Sequence, residues 1–319
     1  MATTETQILD EVIVSSRRRL MMMSGTALAG LMLGNTTKAN AQSTTLTDAD
    51  YLNFALNLEY LEAQFYTLAN SGQTIDQIGI GIGAGTSATG GGTVTVKPTG
   101  VASCKVPFTI PAVASYASEI ASEEQKHVKF LRGALGASAV AMPNIDLYNS
   151  FNAAAAAAGI GPAFDPFAND VNFLLGSYIF EDVGVSAYHG AAGLLTNTAN
   201  LSAAVGIHAV EAYHAGLIRT VLWGLDQATP AAGIAGITIK ISNLRAALDG
   251  TKDDDIGLMT VQDALNGTTT NFTASTIVNA DSNTIGWSRT TQQVLNIVYA
   301  SPTGVKGGFY PTGLNGNIS

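Results

Sequence analysis

Glu124-Gln125-Lys126-His127 and Glu211-Ala212-Tyr213-His214 are two tetrads of one form, Glu-x-x-His, and they hold half of the chain's four histidines. Three residues of separation on a helix sets the carboxylate and the imidazole side by side on one face. Each tetrad falls on the inward stripe of a long helical pattern. Two such pairs, joined by one inward Glu from each of two further helices, are what a four-helix bundle needs to hold two metal ions between carboxylates.

The stripes can be followed outward from the tetrads. The second helix, from about Pro111, places Val113, Ala117, Ile120, Glu124, His127, Leu131 and Ala134 inward, and the fourth places Ala204, Ile207, Glu211, His214, Ile218, Val221 and Leu225 inward. In the first, over Asp48 to Asn70 behind a Thr47 or Asp48 cap, the inward positions are Leu52, Ala55, Glu59, Glu62, Tyr66 and Ala69. The third, from about Asn169, gives Val171, Leu174, Tyr178, Glu181, Val185, Tyr188, Ala192 and Leu195. All four are largely apolar and turn acidic or imidazole near the centre. Burying unpaired carboxylates costs several kcal/mol each, so a core holding this many requires compensation, and divalent cations supply it. A solvated helix face explains a lone Glu but not interruptions at matching depth in four apolar stripes. By the same register Glu123 and Asp182 lie off the seam.

The first and third helices share a second signature, since Glu59 is followed seven residues later by Tyr66 and Glu181 by Tyr188. The bundle therefore reads as two related helix pairs. That pairing makes Glu62 an extra inward carboxylate, at the repeat position of Gly184, open to a role as further ligand, proton relay or substitute for Glu59. Tyr66 and Tyr188 are candidates for hydrogen bonding to metal-bound carboxylates or for carrying an electron, while most tyrosines in bundle cores simply pack and find one partner. His208, three residues before Glu211, is either an outer hydrogen-bonding partner of the site or an ordinary packing residue, and His189 sits one position off its stripe.

Residues 1–41 read as an address. Arg17-Arg18-Arg19 precede an apolar run, Met21 to Leu33, in a pattern that resembles a twin-arginine export signal, and Ala39-Asn40-Ala41 offers a cleavage site ahead of Gln42. The run is too short and too glycine-broken for a membrane span. Its removal takes four basic and three acidic residues from the chain's 15 and 24, leaving 11 and 21, a net charge of −10. An acidic surface of this kind excludes nucleic acid and anionic lipid as expected partners and concentrates cations. Cys104 is the only cysteine, which rules out an internal disulfide and thiolate clusters. The expected location is periplasmic or extracellular, with no membrane contact after cleavage.

Residues 42–228 carry the bundle and 229–319 an extension packed on it. Between the first two helices, Ser71 to Phe108 is rich in Gly, Thr and Ser, with one short strand expected over Thr93 to Val96. Its length suggests an ordered excursion or a partner site, although the glycine runs themselves read as flexible loop. Gly136 to Ala168, with the alanine run Ala153 to Ala158, is long enough to cross the bundle end to end. The extension reads as mostly irregular, with short helices over Ile239 to Leu248 and Thr290 to Tyr299, and Trp287, Phe309 and Tyr310 packing on the bundle.

Leu56-Asn57-Leu58-Glu59 with Tyr66 resembles the first-helix signature of ferritins and rubrerythrins. Ala55 to Glu62, Asp182 to Tyr188, Ser288 to Tyr299 and Gly308-Phe-Tyr-Pro-Thr-Gly-Leu-Asn-Gly316 resemble, more narrowly, the exported ferritin-like proteins grouped with plant desiccation-related and fungal stress-response proteins. The resemblance implies an all-α, ferritin-like four-helix bundle with a long B–C crossover. It places metal ligands at Glu59, Glu124, His127, Glu181, Glu211 and His214. Glu62, Tyr66 and Tyr188 are then the residues to look to for catalysis. Carboxylates with one imidazole per metal favour two iron ions, or alternatively two manganese ions. The leading expectation is a di-iron oxidase or ferroxidase working on Fe(II), O2 or H2O2. Its rivals are a di-manganese catalase and a structural, stress-protective protein whose metal is only a staple. The expected partners are thus metal ions and small oxidants, with a homodimer the assembly left open.

Overall fold

Thr47 opens the first helix, where the Asp50 carboxylate accepts from the Thr47 amide at 2.7 Å, and Gly72 closes it in the left-handed conformation at φ 71°. Gly72 also lies against neighbouring backbone, since a Cβ there would stand 2.9 Å from Ala102 O. The computed structural model describes residues 45–251, 254–264 and 271–319. The arginine triplet, the apolar run after it and the expected cleavage site lie outside the described residues.

Among the described residues there are seven α-helices: α1 (Asp48–Ser71), α2 (Pro111–Leu135), α3 (Asn149–Ala157), α4 (Asp170–Ala192), α5 (Thr198–Ala228), α6 (Ile234–Asp249) and α7 (Thr291–Val298). The bundle is built of α1, α2, α4 and α5. Proline at the first turn starts α2, and the side chains of Asn169 and Asn197 cap α4 and α5 by accepting from backbone amides of their first turns. α1 packs along α2, and α4 along α5. The Asp48 carboxylate accepts from the amides of Thr196 and Asn197, at 2.9 and 3.0 Å, so the start of α1 is tied to the tight α4–α5 turn.

The crossover from α2 to α4 carries α3 on its alanine run and a two-residue strand, β2 (Ile145–Asp146), parallel to β1 (Val94–Thr95) of the glycine-rich loop. That loop is an ordered excursion: Arg132 of α2 donates to Gly83 O at 2.7 Å and to Gly85 O and Ser87 O at 2.9 Å. The helical stripes hold through the centre and slip toward helix ends: Leu135 rather than Ala134 is buried in α2, Leu222 and Asp226 rather than Val221 and Leu225 in α5, and Ala55, Val171, Val185 and Ala192 are only half-buried. The unusual twist belongs to Gly136, whose left-handed-side φ of 53° ends the helical register there.

The extension contains more regular structure than its sequence suggests. α6 begins at Ile234, five residues before the expected start, and β3 (Thr260–Ala264) pairs antiparallel with β4 (Asn271–Ser275). Phe309 packs edge-on against Phe151 and Phe180, and Tyr310 donates to Asn57 O at 2.8 Å. Asn57 and Asn315 exchange two further hydrogen bonds, at 2.9 and 3.0 Å, which fastens the end of the chain to α1.

A second buried feature joins extension and bundle. Asp182 lies off the inward carboxylate seam, as its register says, but it is buried rather than solvated. It pairs with Arg219 of α5 at 2.8 Å and Arg245 of α6 at 2.9 Å, and Arg245 and Arg289 both reach Asp255. A buried charge set is tolerated only when its members are mutually paired, and these are.

Candidate metal centre

Glu59 and Glu62 come from α1, Glu124 and His127 from α2, Glu181 from α4, and Glu211 and His214 from α5, and all seven are buried. They gather into two groups. Donor atoms of Glu59, Glu124, His127 and Glu211 lie within 4.8 Å of one another, and so do those of Glu124, Glu181 and His214. Glu124 belongs to both, with Oε1 3.1 Å from His214 Nδ1 and Oε2 3.4 Å from His127 Nδ1. His127 Nδ1 also stands 3.2 Å from Glu59 Oε2 and 3.7 Å from Glu211 Oε1, while His214 Nδ1 is 3.4 Å from Glu181 Oε2. Each group has one Glu from the α1–α4 pair and one imidazole, but the tetrads are not kept apart: Glu211 falls with Glu59 and His127, and Glu124 is shared by both groups.

The donors fit a pair of divalent cations. Both oxygens of Glu124 and of Glu211, Glu181 Oε2 and His214 Nδ1 are fully buried without a hydrogen-bond partner. Each such atom costs about 1–3 kcal/mol, more when charged, and folded proteins rarely leave even one. Six in one pocket, all oxygen or imidazole nitrogen, suit iron or manganese better than metals that prefer sulfur.

Electrostatics in the metal-free pocket state the same requirement. Burial, and then the charges of Glu62, Glu124, Glu181 and Glu59, hold the Glu211 carboxyl well above the usual range. Glu62 is raised likewise, by burial first and then by Glu124, Glu181 and Glu59. Glu59 is pushed to about 7, chiefly by burial, against the opposing charge of His127. Burial also works to raise Glu124, but the His127 and His214 imidazoles beside it outweigh burial and bring that group to about 2. Burial alone would lower the two imidazoles; the surrounding carboxylates reverse this and raise His127 to about 11 and His214 to about 12.

The two tyrosines act across the pair of related helices. Tyr66 of α1 donates to Glu181 Oε1 of α4, and Tyr188 of α4 donates to Glu59 Oε1 of α1. Each leaves one carboxylate oxygen to face the centre. Glu62 lies beside Gly184, where a Cβ would stand 2.3 Å from Glu211 Oε2 and 3.4 Å from Glu62 Oε1. The repeat thus pairs a carboxylate on one helix with the absence of a side chain on the other, and the gap admits both carboxylates.

Glu123 was not legible as a site residue. From its position off the seam it reaches around the helix and accepts from His214 Nε2 at 2.7 Å, which sets the tautomer and turns Nδ1 toward the centre. Its only sequence signal is adjacency to Glu124. His208 does not reach the site, because its Nδ1 donates to Val185 O at 3.1 Å, and His189 bonds Trp287 O at 3.0 Å.

The family sequence model described as "Ferritin-like domain" matches residues 47–223, the stretch that holds all seven side chains. The chain belongs to the ferritin-like domain family. Among curated relatives of this ferritin-like chain, "Ferritin-like catalase Nec2" of Nesocodon mauritianus is 29% identical over 280 residues, covering 85% of each chain. The "Desiccation-related protein PCC13-62" of Craterostigma plantagineum is 31% identical over 222 residues, 67% of this chain and 66% of that protein. No solved structure matches. Among the described residues, no helix of this ferritin-like protein is long and apolar enough to cross a membrane.

Proposed function

We propose that this ferritin-like protein is a di-metal oxidoreductase that disproportionates hydrogen peroxide, 2 H2O2 → 2 H2O + O2, with Glu59, Glu124, His127, Glu181, Glu211 and His214 holding two iron or manganese ions. The observation that carries it is the six-atom set of unpartnered buried donors divided between two groups by Glu124. The choice of peroxide draws on the relative named as a catalase, which this chain matches over 85% of both lengths. When bound, the metal pair supplies two-electron redox chemistry at open coordination positions.

The chain's own residues do the rest. Tyr66 and Tyr188 hold Glu181 and Glu59 each by one oxygen, so the other oxygen keeps its direction. Glu123 holds His214 by Nε2. One half of the reaction consumes two protons and the other releases two. Glu62 is the group suited to store one between halves, at Oε1 beside Gly184, because its burial favours the protonated form. The packed α1 and α4 faces around it keep bulk water away from that proton.

One observation favours a ferroxidase, the reading that the sequence placed first. An open groove of about 600 Å3 at the α2–α5 seam carries Glu119 and Glu123 at its wall and ends on His214, a path suited to an arriving cation. An oxygen electrode separates the two. Peroxide added to metal-loaded protein should release one O2 for every two H2O2 lost. Fe(II) additions that consume O2 faster than buffer does, with no O2 release from peroxide, would establish the ferroxidase instead. If neither occurs while chelation lowers the melting temperature, the metal is a staple. We also hold residues 1–41 to be an export signal; a reporter fused to residues 1–45 that stays in the cytoplasm would refute this.

A further inference from the structure

The alanine run of α3 has no part in the metal centre, yet it forms one wall of a cleft of about 180 Å3. Ala154, Ala155 and Ala158 face Ile241 and Leu248 of α6 across it, and its floor is Ile179, Ile297 and Phe309. Arg245 is the one charged residue on its lining, and that guanidinium is already paired with Asp182 and Asp255. Below the floor lies a second cavity of about 20 Å3, which Ile179, Ile297 and Phe309 also line. Its inner wall is Glu62, Val183 and Gly184, and Gly184 is where Glu211 Oε2 comes closest to α4. Three shared side chains therefore separate an outer apolar cleft from an inner chamber that borders the metal centre.

From this adjacency across three shared side chains we infer that the two cavities form a gas passage, through which dioxygen moves, as Ile179, Ile297 and Phe309 give way, between the surface and the proposed metal centre at Glu62 and Gly184. Size and polarity both select that occupant. A chamber of about 20 Å3 is room for one water-sized molecule, since about 10–15 Å3 by the same measure holds one water. A diatomic fits; an aliphatic chain does not. Apolar cavities of the outer cleft's size stay dry and take up xenon or similar apolar guests. Hydrogen peroxide would lose its hydrogen bonds to water there and gain none. The polar groove ending on His214, at the α2–α5 seam, offers peroxide the alternative route. Large side chains in place of the alanines would fill the cleft, so their smallness keeps it open. The direction of travel rests on the proposed reaction: outward if O2 is the product, inward if it is the oxidant.

The test is xenon binding to crystals of the folded chain, metal-free and metal-loaded, beside Ala154→Trp and the milder Ala154→Leu. Ala154 is half-buried on α3 and touches no metal-site residue in the cavities described. Xenon is expected in both cavities of the parent protein and absent from the outer one in Ala154→Trp, with metal content unchanged and oxygen turnover reduced several-fold. Parent crystals with no xenon in the inner chamber would overturn the passage. So would an elongated apolar molecule retained in the outer cleft and not displaced by xenon, which would assign the cleft to an organic ligand. Equal turnover in a folded Ala154→Trp protein that has lost its xenon would overturn it as well. Xenon in both cavities of a protein inert toward peroxide and Fe(II) would leave the passage standing and reject the proposed reaction.

Discussion

Glu211→Gln should separate the cost of the metal pocket from what the metal returns. Both oxygens of Glu211 are buried and unpartnered, and burial with four neighbouring carboxylates favours its neutral form in the metal-free protein. Glutamine is close in shape to that neutral acid, so stability without metal should change by no more than about 1 kcal/mol. With metal the balance differs. Two metal ions, each at about 100 times its Kd, add roughly 2.7 kcal/mol apiece. At about 2 °C per kcal/mol for a chain this long, the parent should melt about 10 °C higher when loaded than with chelator. Losing the Glu211 anion should weaken binding by at least the ~10–100-fold that an outer partner's loss costs, which is about 1.4–2.7 kcal/mol. Scanning calorimetry with Mn(II), with Fe(II) under anaerobic conditions, and with chelator should then show the loaded variant about 3–5 °C below the loaded parent, with the metal-free pair nearly superimposed. A variant that falls equally far with and without metal, or a parent indifferent to chelation, would refute the reasoning.

Metal-free and metal-loaded protein should also respond oppositely to pH between about 5 and 8. Glu59, Glu62 and Glu211 have folded pKa values above their unfolded ones, so their contribution is full below the ordinary carboxylate range and is lost as pH rises through the folded values, about 7 for Glu59. His127 and His214, raised to about 11 and 12, lose stability in the same direction once pH passes their ordinary value of 6.5. Melting temperature with chelator should fall over this range, whereas with metal it should rise, because binding displaces protons; equal slopes would contradict the site. Gly184→Ala puts a Cβ 2.3 Å from Glu211 Oε2, the movable end of a side chain, so equilibrium dialysis should show weaker metal binding while metal-free stability shifts by less than about 1 kcal/mol. Asp182→Ala leaves Arg219 and Arg245 without their shared partner and should cost about 3–5 kcal/mol in urea unfolding, with metal stoichiometry per folded chain unchanged. Asp170 accepts from the amides of Thr109 and Ile110 at the start of α4, which holds its pKa below the usual value although burial opposes this. Asp170→Asn should therefore destabilise the protein above pH 4 by about 1–2 kcal/mol, and the difference should shrink as pH falls through the depressed folded value.

The bundle and the convergence of Glu59, Glu124, His127, Glu181, Glu211 and His214 on one buried pocket were legible from sequence because helix periodicity is local. A carboxylate that interrupts an apolar stripe announces burial with no knowledge of the neighbouring helix, and four stripes interrupted near the same depth announce one pocket. Glu-x6-Tyr likewise pointed to Tyr66 and Tyr188. That each tyrosine serves the other helix's carboxylate is a property of the packed pair, invisible to either segment alone.

What periodicity could not supply are contacts made across elements by side chains at the edge of a stripe. Glu123 and Asp182 share the register of solvated positions, but one reaches His214 on α5 and the other meets arginines from α5 and α6. The β3–β4 hairpin and the early start of α6 lack strong local signals, and in α6 the added turn is held by the burial of Ile234. The alanine run reads as a good helix former and nothing more. Only the placement of α3 against α6 and α7 turns its small side chains into the wall of a cleft, because a void is defined by what surrounds it rather than by the residues of any one segment.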